Sequence, residues 1–387
     1  MHKIWLVNGT VVSGYSRQEE SCVYVEDGQI ADVISLKRFK KKSIPSDTLV
    51  YDVNGAWIAP GLIDSHIHGF NGFGTEDHQS ESILEMSKAL AKHGVSSFCP
   101  TVYSDDEERM THAIRAIVAA HGKCEGAEIL GIHLEGPFIS PKRLGAQGGS
   151  SPVDLDLMDR LWEAGEGMIS NMTVAPELKN MRELALSCVK KGIVLQAGHT
   201  DAAYENMLEG MQAGIRHSTH FFNAMSRLHH RNPGAVGAIM ILPDMSCEII
   251  ADGEHVHPEL IQLLLRGKPV NKVVLVTDAL KPTAQKEGTL LANGEEVLFV
   301  DEVFKKPDGV FAGSSLTMMK GIKNLVSWQI PLEQALMMAT ENPSRILGFD
   351  RKGALVPGFD ADITVFDKQY NVLMTMVAGR IVKNLFA

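Results

Sequence analysis

Three patterns of apolar and polar positions follow one another along the 387-residue chain. The first fifty residues contain short stretches of β-branched and aromatic residues separated by Asn-Gly and Asp-Gly turn signals, which predicts β-strands. From about residue 55, apolar runs alternate with segments whose apolar positions recur at helical spacing. This alternation predicts βαβ units with a parallel sheet, and about eight such units fit a (β/α)8 TIM-like barrel.

Strand composition returns near the end of the chain, so both ends are β-rich while the middle is α/β. We therefore predict a small β-sandwich domain formed by both chain termini, residues 1–55 plus 353–387. A metal-dependent catalytic barrel over residues 56–352 would be inserted between its two parts. A hairpin-like segment over residues 288–313 is expected to decorate the barrel late in the chain.

Composition and charge narrow the class of protein. The chain is 44% hydrophobic and 22% charged, which is enough apolar material for a sizeable core. Its formal charge of -10 argues against nucleic acid and against an anionic membrane surface as partners. The five cysteines are odd in number and form no CxxC, which indicates a reducing compartment. Without a signal-peptide pattern or a spanning apolar run, we expect a soluble cytoplasmic protein.

The strongest local signal is Asp64-Ser65-His66-Ile67-His68, at the end of an apolar run. Residues i and i+2 of a strand point to the same face, so His66 and His68 can converge on one ion. Imidazole suits zinc, iron and similar divalent ions. Taken alone, a His-x-His at a strand end is equally compatible with two ordinary polar residues.

Other predicted strand ends also carry residues that can bind metal: Glu135, His199, His220 and Asp278. Residues at the carboxyl ends of barrel strands line the active site, so these side chains would face one pocket. A metal held by His and carboxylate ligands with open positions activates water. Asp278 is not needed to complete the ligand set and fits a catalytic acid/base. These residues therefore favour hydrolysis of an amide-like bond.

The other histidines are interpreted as structural or solvated, or as substrate contacts. His133 is expected to face away from Glu135, and His217, three residues before His220, to point to the opposite face of its strand. His255 lies in a second His-x-His that follows Asp-Gly and precedes proline, so it is predicted to contact substrate from a loop. The chain has no HExxH, GxSxG, Walker or GxGxxG motif.

Seven motifs, in this order, resemble those of the amidohydrolase superfamily and, within it, of deacetylases that act on amino sugar phosphates. They run through nearly the whole chain, and HLEGPF together with THxFNAM is the most specific part. The motifs are PGLIDSHIHG (60–69), HLEGPFISPKRLGAQ (133–147), AGHTDA (197–202), THFFNAMS (219–226), ADGEHVHP (251–258), VTDA (276–279) and FAGSSLTM (311–318).

The resemblance implies a metal site and a reaction. Glu135, His199 and His220 would hold the principal ion, while His66 and His68 would hold a second ion that Glu135 is placed to bridge. One or two divalent metal ions per subunit follow, zinc or iron first, with manganese or cobalt also accepted by these ligands. Asp278 matches the acid/base. The implied reaction hydrolyses the acetamide of N-acetylglucosamine 6-phosphate to glucosamine 6-phosphate and acetate, in amino sugar catabolism and cell-wall recycling.

The resemblance also implies substrate contacts and a homodimer whose neighbouring subunit reaches the phosphate. Arg231 would pair with the phosphate, although the residues alone favour a surface arginine. Some relatives carry a histidine within segment 142–149, where this chain has none, so the sugar contact from that loop stays open. The implied substrate-binding residues are Ala146, Asn223, Ala224, Arg231, His255, Phe311, Ala312 and Gly313.

Two other interpretations of the sequence remain. The chain can be read as another deacetylase or cyclic amidase of the same superfamily. It can also be read as a non-catalytic barrel used as a binding scaffold. The intact set of ligand-type residues with Asp278 argues against a scaffold, because a scaffold has no need of a full ligand set and base.

Overall fold

A computed structural model describes residues 3–301, 303–307, 309 and 311–386. Residues 1, 2 and 387 of the predicted terminal domain lie outside this range, as do residues 302, 308 and 310 of the predicted hairpin. The first five strands, which the sequence predicts, are β1 Lys3–Ser13, β2 Ser16–Glu26, β3 Gln29–Ser35, β4 Thr48–Asp52 and β5 Trp57–Pro60. The next eleven are β6 Leu62–Ile67, β7 Gly69–Phe70, β8 Phe73–Gly74, β9 Val95–Tyr103, β10 Glu128–Ile129, β11 Ile132–Glu135, β12 Ile169–Val174, β13 Val194–Ala197, β14 Ile215–Ser218, β15 Cys247–Ile250 and β16 Val273–Val276. The last seven are β17 Gly288–Ala292, β18 Glu295–Val300, β19 Val303–Lys305, β20 Phe311–Ser314, β21 Ile363–Phe366, β22 Val372–Val377 and β23 Arg380–Asn384.

Helices separate most of the central strands. The first six are α1 Leu36–Phe39, α2 Ser80–Lys92, α3 Glu107–Ala120, α4 Leu155–Ala164, α5 Met181–Lys190 and α6 Tyr204–Ala213. The last five are α7 Gly234–Ile241, α8 Pro258–Gly267, α9 Met318–Ser327, α10 Leu332–Ala339 and α11 Glu341–Leu347. Helix α2 is typical: it buries Ile83, Met86 and Leu90, which lie on one face at helical spacing, and ends before Gly94 in the left-handed region.

Strands from both ends of the chain pair in one eight-stranded sheet, in the order β23-β22-β21-β5-β1-β2-β3, with β4 also paired to β1. The join between the two ends is the antiparallel ladder of β21 with β5. The Asp-Gly signal between β2 and β3 forms the turn that the sequence predicts, because Asp27 and Gly28 both take positive φ angles. A core that includes Ile58, Ile363 and Met374 holds the two ends together.

A curled parallel sheet occupies the middle of the chain and gives a mixed α/β fold. Parallel ladders join β6, β9, β11, β12, β13 and β14 in that order, and another joins β15 to β16. Backbone hydrogen bonds cross the two remaining gaps. Ser246 N donates to Arg216 O (3.0 Å) between β14 and β15, and Asp278 N donates to His66 O (2.9 Å) between β16 and β6.

The predicted hairpin-like segment is a four-stranded antiparallel sheet, β17 to β20. Its apolar face, with Val297 and Phe304, packs on Leu280 and Tyr103 at the carboxyl ends of the parallel strands. This packing brings β20, with Phe311 to Gly313, over that end of the parallel sheet.

Within the described part of the chain, no helix combines the length and apolarity that crossing a membrane requires.

Candidate active site

The predicted His-x-His places both imidazoles inside the curled sheet. His66 lies in β6 and His68 directly follows that strand, and both side chains are buried. His68 Nε2 is 2.9 Å from Glu135 Oε2, and His66 Nε2 is 3.5 Å from Glu135 Oε1. One ligand atom from each of the three residues lies within 4.8 Å of the other two. The period-two prediction that they share a face is therefore confirmed.

A second trio shares Glu135 with the first. His199 Nε2 and His220 Nε2 each lie 3.0 Å from Glu135 Oε1 and 3.0 Å from each other. His199, His220 and Asp278 follow strands β13, β14 and β16 and have positive φ angles of 45°, 25° and 50°. Such strained backbone is characteristic of functional sites, where the surrounding structure holds it in place.

The two trios have the donor set and spacing that a divalent cation requires. Ligands about 2.0–2.2 Å from a tetrahedral zinc ion lie roughly 3.3–3.6 Å apart, close to the separations within each trio. His66 Nε2, which points at Glu135, is buried without a hydrogen-bond partner in the described structure. Buried nitrogens are normally satisfied, so an unpartnered nitrogen facing a carboxylate and other imidazoles fits a metal ligand.

Asp278 lies beside the two histidines of the first trio at the floor of the site. Its Oδ1 is 3.4 Å from His66 Nε2 and 3.5 Å from His68 Nε2, and its side chain is 13% exposed. It is thus in reach of the ion positions and of the open space above them. This placement agrees with the predicted role of an acid/base outside the ligand set.

Charge inside the sheet keeps the shared carboxylate ionised. Burial alone would raise the pKa of Glu135, but the neighbouring His66 charge and the hydrogen bonds from His199 and His220 hold it well below its usual range. Glu248 shows the same balance: burial opposes ionisation, yet the imidazole of His66 lowers the pKa of Glu248 to about 2. Asp64 is the opposite case, since burial raises its pKa to about 7 despite hydrogen bonds from Thr277.

A cavity of about 500 Å³ opens above the two trios. Most of the predicted site residues line it, while His66 lies beneath its floor. Lining residues among those predicted are His68, Glu135, Ala146, His199, His220, Asn223, Ala224, His255, Asp278, Phe311, Ala312 and Gly313.

Arg231 is not among the residues that line this cavity. It lies exposed on the loop that follows Met225, where its backbone N donates to His229 Nδ1 (3.3 Å). Arg227 of the same loop does line the cavity, as do Lys142 and Arg143. Sequence reasoning missed these three cations because a loop has no fixed periodicity from which side-chain direction can be deduced.

Two histidines differ from the predictions. His133 does not face away from Glu135: two residues earlier in β11, it is fully buried with its ring centroid 4.6 Å from that of His66. The period-two rule, applied correctly, places it on the same face. His217 is also buried inside the sheet, with Nε2 3.8 Å from Glu248 Oε1. Strand β14 ends at Ser218, so alternation does not extend to His220.

His255, the predicted substrate contact, lies in a loop that lines the cavity. Its Nδ1 donates to Asp252 Oδ2 (2.6 Å), and its ring centroid is 5.1 Å from that of Phe311. Burial alone would lower the pKa of His255, but the hydrogen bond and charge of Asp252 outweigh burial and raise it. The imidazole thus has a fixed orientation at the cavity wall.

Two further side chains contact the metal-type residues and were missed from the sequence. Gln147 Nε2 donates to Glu135 Oε2 (2.5 Å), while its Oε1 accepts from Ser104 N (2.8 Å). The Tyr103 ring stacks on His68 at a centroid distance of 3.8 Å. Neither residue stands out in sequence, because glutamine and tyrosine are common outside functional sites.

A family model described as "Amidohydrolase family" matches residues 57–382. The chain belongs to this family. The match confirms the predicted superfamily, and the family implies a divalent metal, which the two trios fit.

Within this family, the chain is similar to several proteins named as N-acetylglucosamine-6-phosphate deacetylases. The N-acetylglucosamine-6-phosphate deacetylase of Bacillus subtilis is 33% identical over 386 residues, covering 97% of this chain and 94% of its own. The crystal structure of the Thermotoga maritima enzyme of the same name is 30% identical, with a TM-score of 0.87 over 98% of this chain and 99% of that one. A point mutant of the Mycobacterium smegmatis enzyme, in complex with N-acetyl-D-glucosamine-6-phosphate, is 26% identical, with a TM-score of 0.89 over 99% and 100%.

Proposed function

We propose that this amidohydrolase hydrolyses N-acetylglucosamine 6-phosphate to glucosamine 6-phosphate and acetate. The observation that carries the proposal is the pair of His/Glu trios sharing Glu135, with Asp278 Oδ1 within 3.5 Å of His66 and His68. The trios lie beneath a cavity of about 500 Å³ with three cations in its lining. The site supplies the hydrolytic chemistry, and the similarity to the named deacetylases supplies the choice of substrate.

The architecture that goes with this function is a closed (β/α)8 barrel with a β domain. Eight parallel strands form the barrel, and the hydrogen bonds between β14 and β15 and between β16 and β6 support closure. Residues 1–55 and 353–387 would form the β domain, and residues 56–352 the barrel. The inserted sheet β17 to β20 then covers the catalytic end of the barrel.

Glu135, His199 and His220 would hold the principal ion, and His66 and His68, with Glu135 as bridge, a second one. The nitrogen and carboxylate donors favour zinc or iron, and also accept manganese or cobalt. When bound, such an ion polarises a carbonyl oxygen and lowers the pKa of water towards about 7.

The chain's own groups complete the reaction. Asp278 accepts the proton of the attacking water at its carboxylate and then donates it to the amide nitrogen, so that the amine can leave. His255, oriented by Asp252, contacts the sugar or the acetyl carbonyl of the substrate. Gln147 holds Glu135 in its shared position. Phe311 of β20 adds an apolar ring to the cavity wall next to His255.

The substrate-binding residues fall in two groups. Ala146, Asn223 and Ala224 offer polar and backbone groups from the loops after β11 and β14, and Phe311, Ala312 and Gly313 come from β20. The phosphate would be bound by arginine, whose planar guanidinium suits an oxyanion. Arg227 is placed for this within one subunit, whereas Arg231 needs a loop movement or a neighbouring subunit. A cytoplasmic homodimer accommodates the second arrangement.

The decisive experiment measures acetate release together with metal content. Wild-type protein with one or two ions per chain is expected to release acetate from N-acetylglucosamine 6-phosphate, and removal of the metal by a chelator should abolish that release. The C4 epimer of the substrate and a cyclic amide are assayed in parallel. Faster turnover of either compound would replace the proposed substrate, and a metal-free, inactive wild type would support a scaffold.

Asp278→Asn is the matched catalytic variant. Asparagine keeps the size of the side chain but cannot accept the proton, so kcat should fall by about 10²–10⁴-fold. With metal in excess, metal content and thermal unfolding should stay at wild-type values because Asp278 lies outside both trios. Near-wild-type turnover would contradict the proposed acid/base.

A further inference from the structure

His66 is the one residue of the first trio whose two ring nitrogens both have a defined environment. Its Nε2 faces Glu135 and Asp278, at 3.5 Å and 3.4 Å, and its Nδ1 is 2.9 Å from Glu248 Oε2. A carboxylate only accepts hydrogen bonds, so this contact places the imidazole proton on Nδ1. An ion bound there would displace the second ring proton, so that the lone pair of Nε2 is directed at the ion position.

The other three histidines of the two trios have no carboxylate on their outer nitrogen. His199 Nδ1 donates to the neutral carbonyl of Arg143 (2.8 Å), and the Nδ1 atoms of His68 and His220 have no hydrogen-bond partner in the described residues. A carboxylate behind a ligating imidazole fixes its tautomer and raises its basicity. Among these four histidines only His66 has this arrangement. Glu248 therefore acts through an imidazole on the ion position of the first trio, and not on that of the second.

Hydrogen bonds from residues of neighbouring strands and loops hold the Glu248 side chain in a fixed position. The residue is fully buried on β15, and its Oε1 accepts from Gln196 Nε2 (2.9 Å) while Oε2 also accepts from His220 N (3.1 Å). Each carboxylate oxygen thus has a fixed partner besides His66. A side chain held in this way can define the position of the imidazole that it contacts.

Charge gives Glu248 a second role. Two divalent ions bring four positive charges into a buried site, and the shared Glu135 and adjacent Asp278 supply only two negative ones. Uncompensated charge in a dry interior is costly. Glu248 places a third carboxylate one imidazole away from the ion between His66 and His68.

We propose that Glu248 is a positioning residue that enables His66 and His68 to hold their own metal ion, so that this chain fills two sites rather than one. The inference deepens the metal part of the proposed function and rests on the proposed ligands. The test uses metal alone, so its failure leaves the substrate assignment untouched, and a wrong substrate leaves this inference standing.

The experiment titrates the metal-stripped full-length chain with zinc in competition with a chromophoric chelator. Wild type is expected to bind two ions in two resolvable steps, and His66→Asn identifies the step that belongs to the His-x-His position by abolishing it. Glu248→Gln, which keeps the shape and removes the charge, should weaken that same step by about 10–100-fold and change the other step by less than about threefold.

Asp64→Asn is the matched control. Asp64 is another fully buried carboxylate on β6, and it accepts from Thr277 N and Thr277 Oγ1 rather than from an imidazole. Because the pKa of Asp64 is about 7, all titrations are run at about pH 8, where its carboxylate is ionised, and its amide variant should leave both zinc steps at wild-type affinity. An equal loss in Asp64→Asn would show that any buried charge has this effect, and would overturn the specific role of Glu248.

The unfolding midpoint of each metal-free variant checks that the fold persists. If Glu248→Gln does not fold, Glu248→Asp keeps the charge but shortens the reach to His66, and a selective loss at the same step supports the proposal. Binding of two ions with wild-type affinities by Glu248→Gln, a similar loss at both steps, or a wild type that binds a single ion would each overturn it.

Discussion

At the scale of single residues, the hydrogen-bond partners of a buried histidine decide whether it can bind a metal ion. His66 and His133 are both buried histidines within 4.6 Å of each other, yet only His66 directs a nitrogen at Glu135. Both ring nitrogens of His133 are instead hydrogen-bonded to threonine hydroxyls, Nδ1 to Thr101 at 3.1 Å and Nε2 to Thr173 at 2.9 Å. Its bonding capacity is therefore used up, which leaves it no free nitrogen for an ion.

The three cations that line the cavity differ in their ion-pair partners, and this difference decides which of them is available to bind the phosphate. Lys142 and Arg143 both pair with Asp201, at 3.2 Å and 2.7 Å. Arg227 has no carboxylate within ion-pair distance in the described part of the chain, so it keeps its full charge for an anion.

We predict that Arg227→Ala lowers kcat/KM for the phosphorylated sugar by about 10–100-fold, because a charged hydrogen bond is worth about 1.5–3 kcal/mol. The loss should lie mainly in KM and should be absent for the unphosphorylated sugar. Steady-state kinetics on both sugars measure this difference. Arg231→Ala is the paired variant: if it alone gives the phosphate-selective loss, Arg231 is the phosphate ligand and the prediction for Arg227 is wrong.

At the scale of elements, strand ends supply the metal-type residues, and loops hold those side chains in their orientation. The segment after β11 returns to His199, whose Nδ1 donates to Arg143 O (2.8 Å). The Arg143 guanidinium is in turn held by Asp201 Oδ1, at 2.9 Å from Nε and 2.7 Å from an Nη atom. One ion pair therefore fixes both a loop of the cavity wall and the orientation of a predicted metal ligand.

We predict that Asp201→Asn raises KM several-fold and weakens zinc binding, with a change in unfolding free energy below about 1 kcal/mol because the pair is partly exposed. Zinc affinity falls because the His199 imidazole is less firmly oriented. This is the usual result when a metal ligand loses the group that hydrogen-bonds to it. Glu107→Gln, which removes the exposed pair with Arg160 on the outer helices, should change stability as little and affect neither KM nor zinc. Equal kinetic effects in both variants would contradict a local role for Asp201.

At the scale of the whole molecule, a buried ion-pair network links the terminal sheet to the parallel one. Lys352 Nζ lies 2.8 Å from Asp362 Oδ2, just before β21, and 2.6 Å from Glu128 Oε2 in β10. Burial alone would lower the pKa of Lys352, but Asp362 and Glu128 raise it above the ordinary lysine value. A raised pKa in the folded state means that this stabilisation is fully present at neutral pH and is lost only as the pH rises through that value.

We predict that Lys352→Met destabilises the fold by about 3 kcal/mol, because it leaves the buried Asp362 carboxylate without its partner. Glu128→Gln should cost no more than about 1 kcal/mol, since Glu128 is half-exposed and water replaces the contact. Denaturant unfolding at neutral pH measures both values. A Lys352→Met variant as stable as wild type would show that the network does not hold the two parts of the molecule together.

The sequence by itself determined the elements and most of the candidate site. Strand ends could be read because buried parallel strands are apolar runs that stop at polar residues. Each of these polar residues stands at or just after such an end: His66, His68, Glu135, His199, His220 and Asp278. Parallel strands bring their carboxyl ends to one edge, so these residues were expected to meet, and the structure brings them together. The resemblance to the amidohydrolases rests on the same residues.

Tertiary structure alone decided which other side chains join them. Glu248 and Gln147 contact the two trios across sequence separations of 182 and 12 residues, and no local pattern marks either contact. Arg227 rather than Arg231 lines the cavity because the loop path sets its direction. The late segment becomes four strands that cover the site instead of a simple decoration. Periodicity fixes direction along one element, whereas packing between distant elements fixes what each side chain meets.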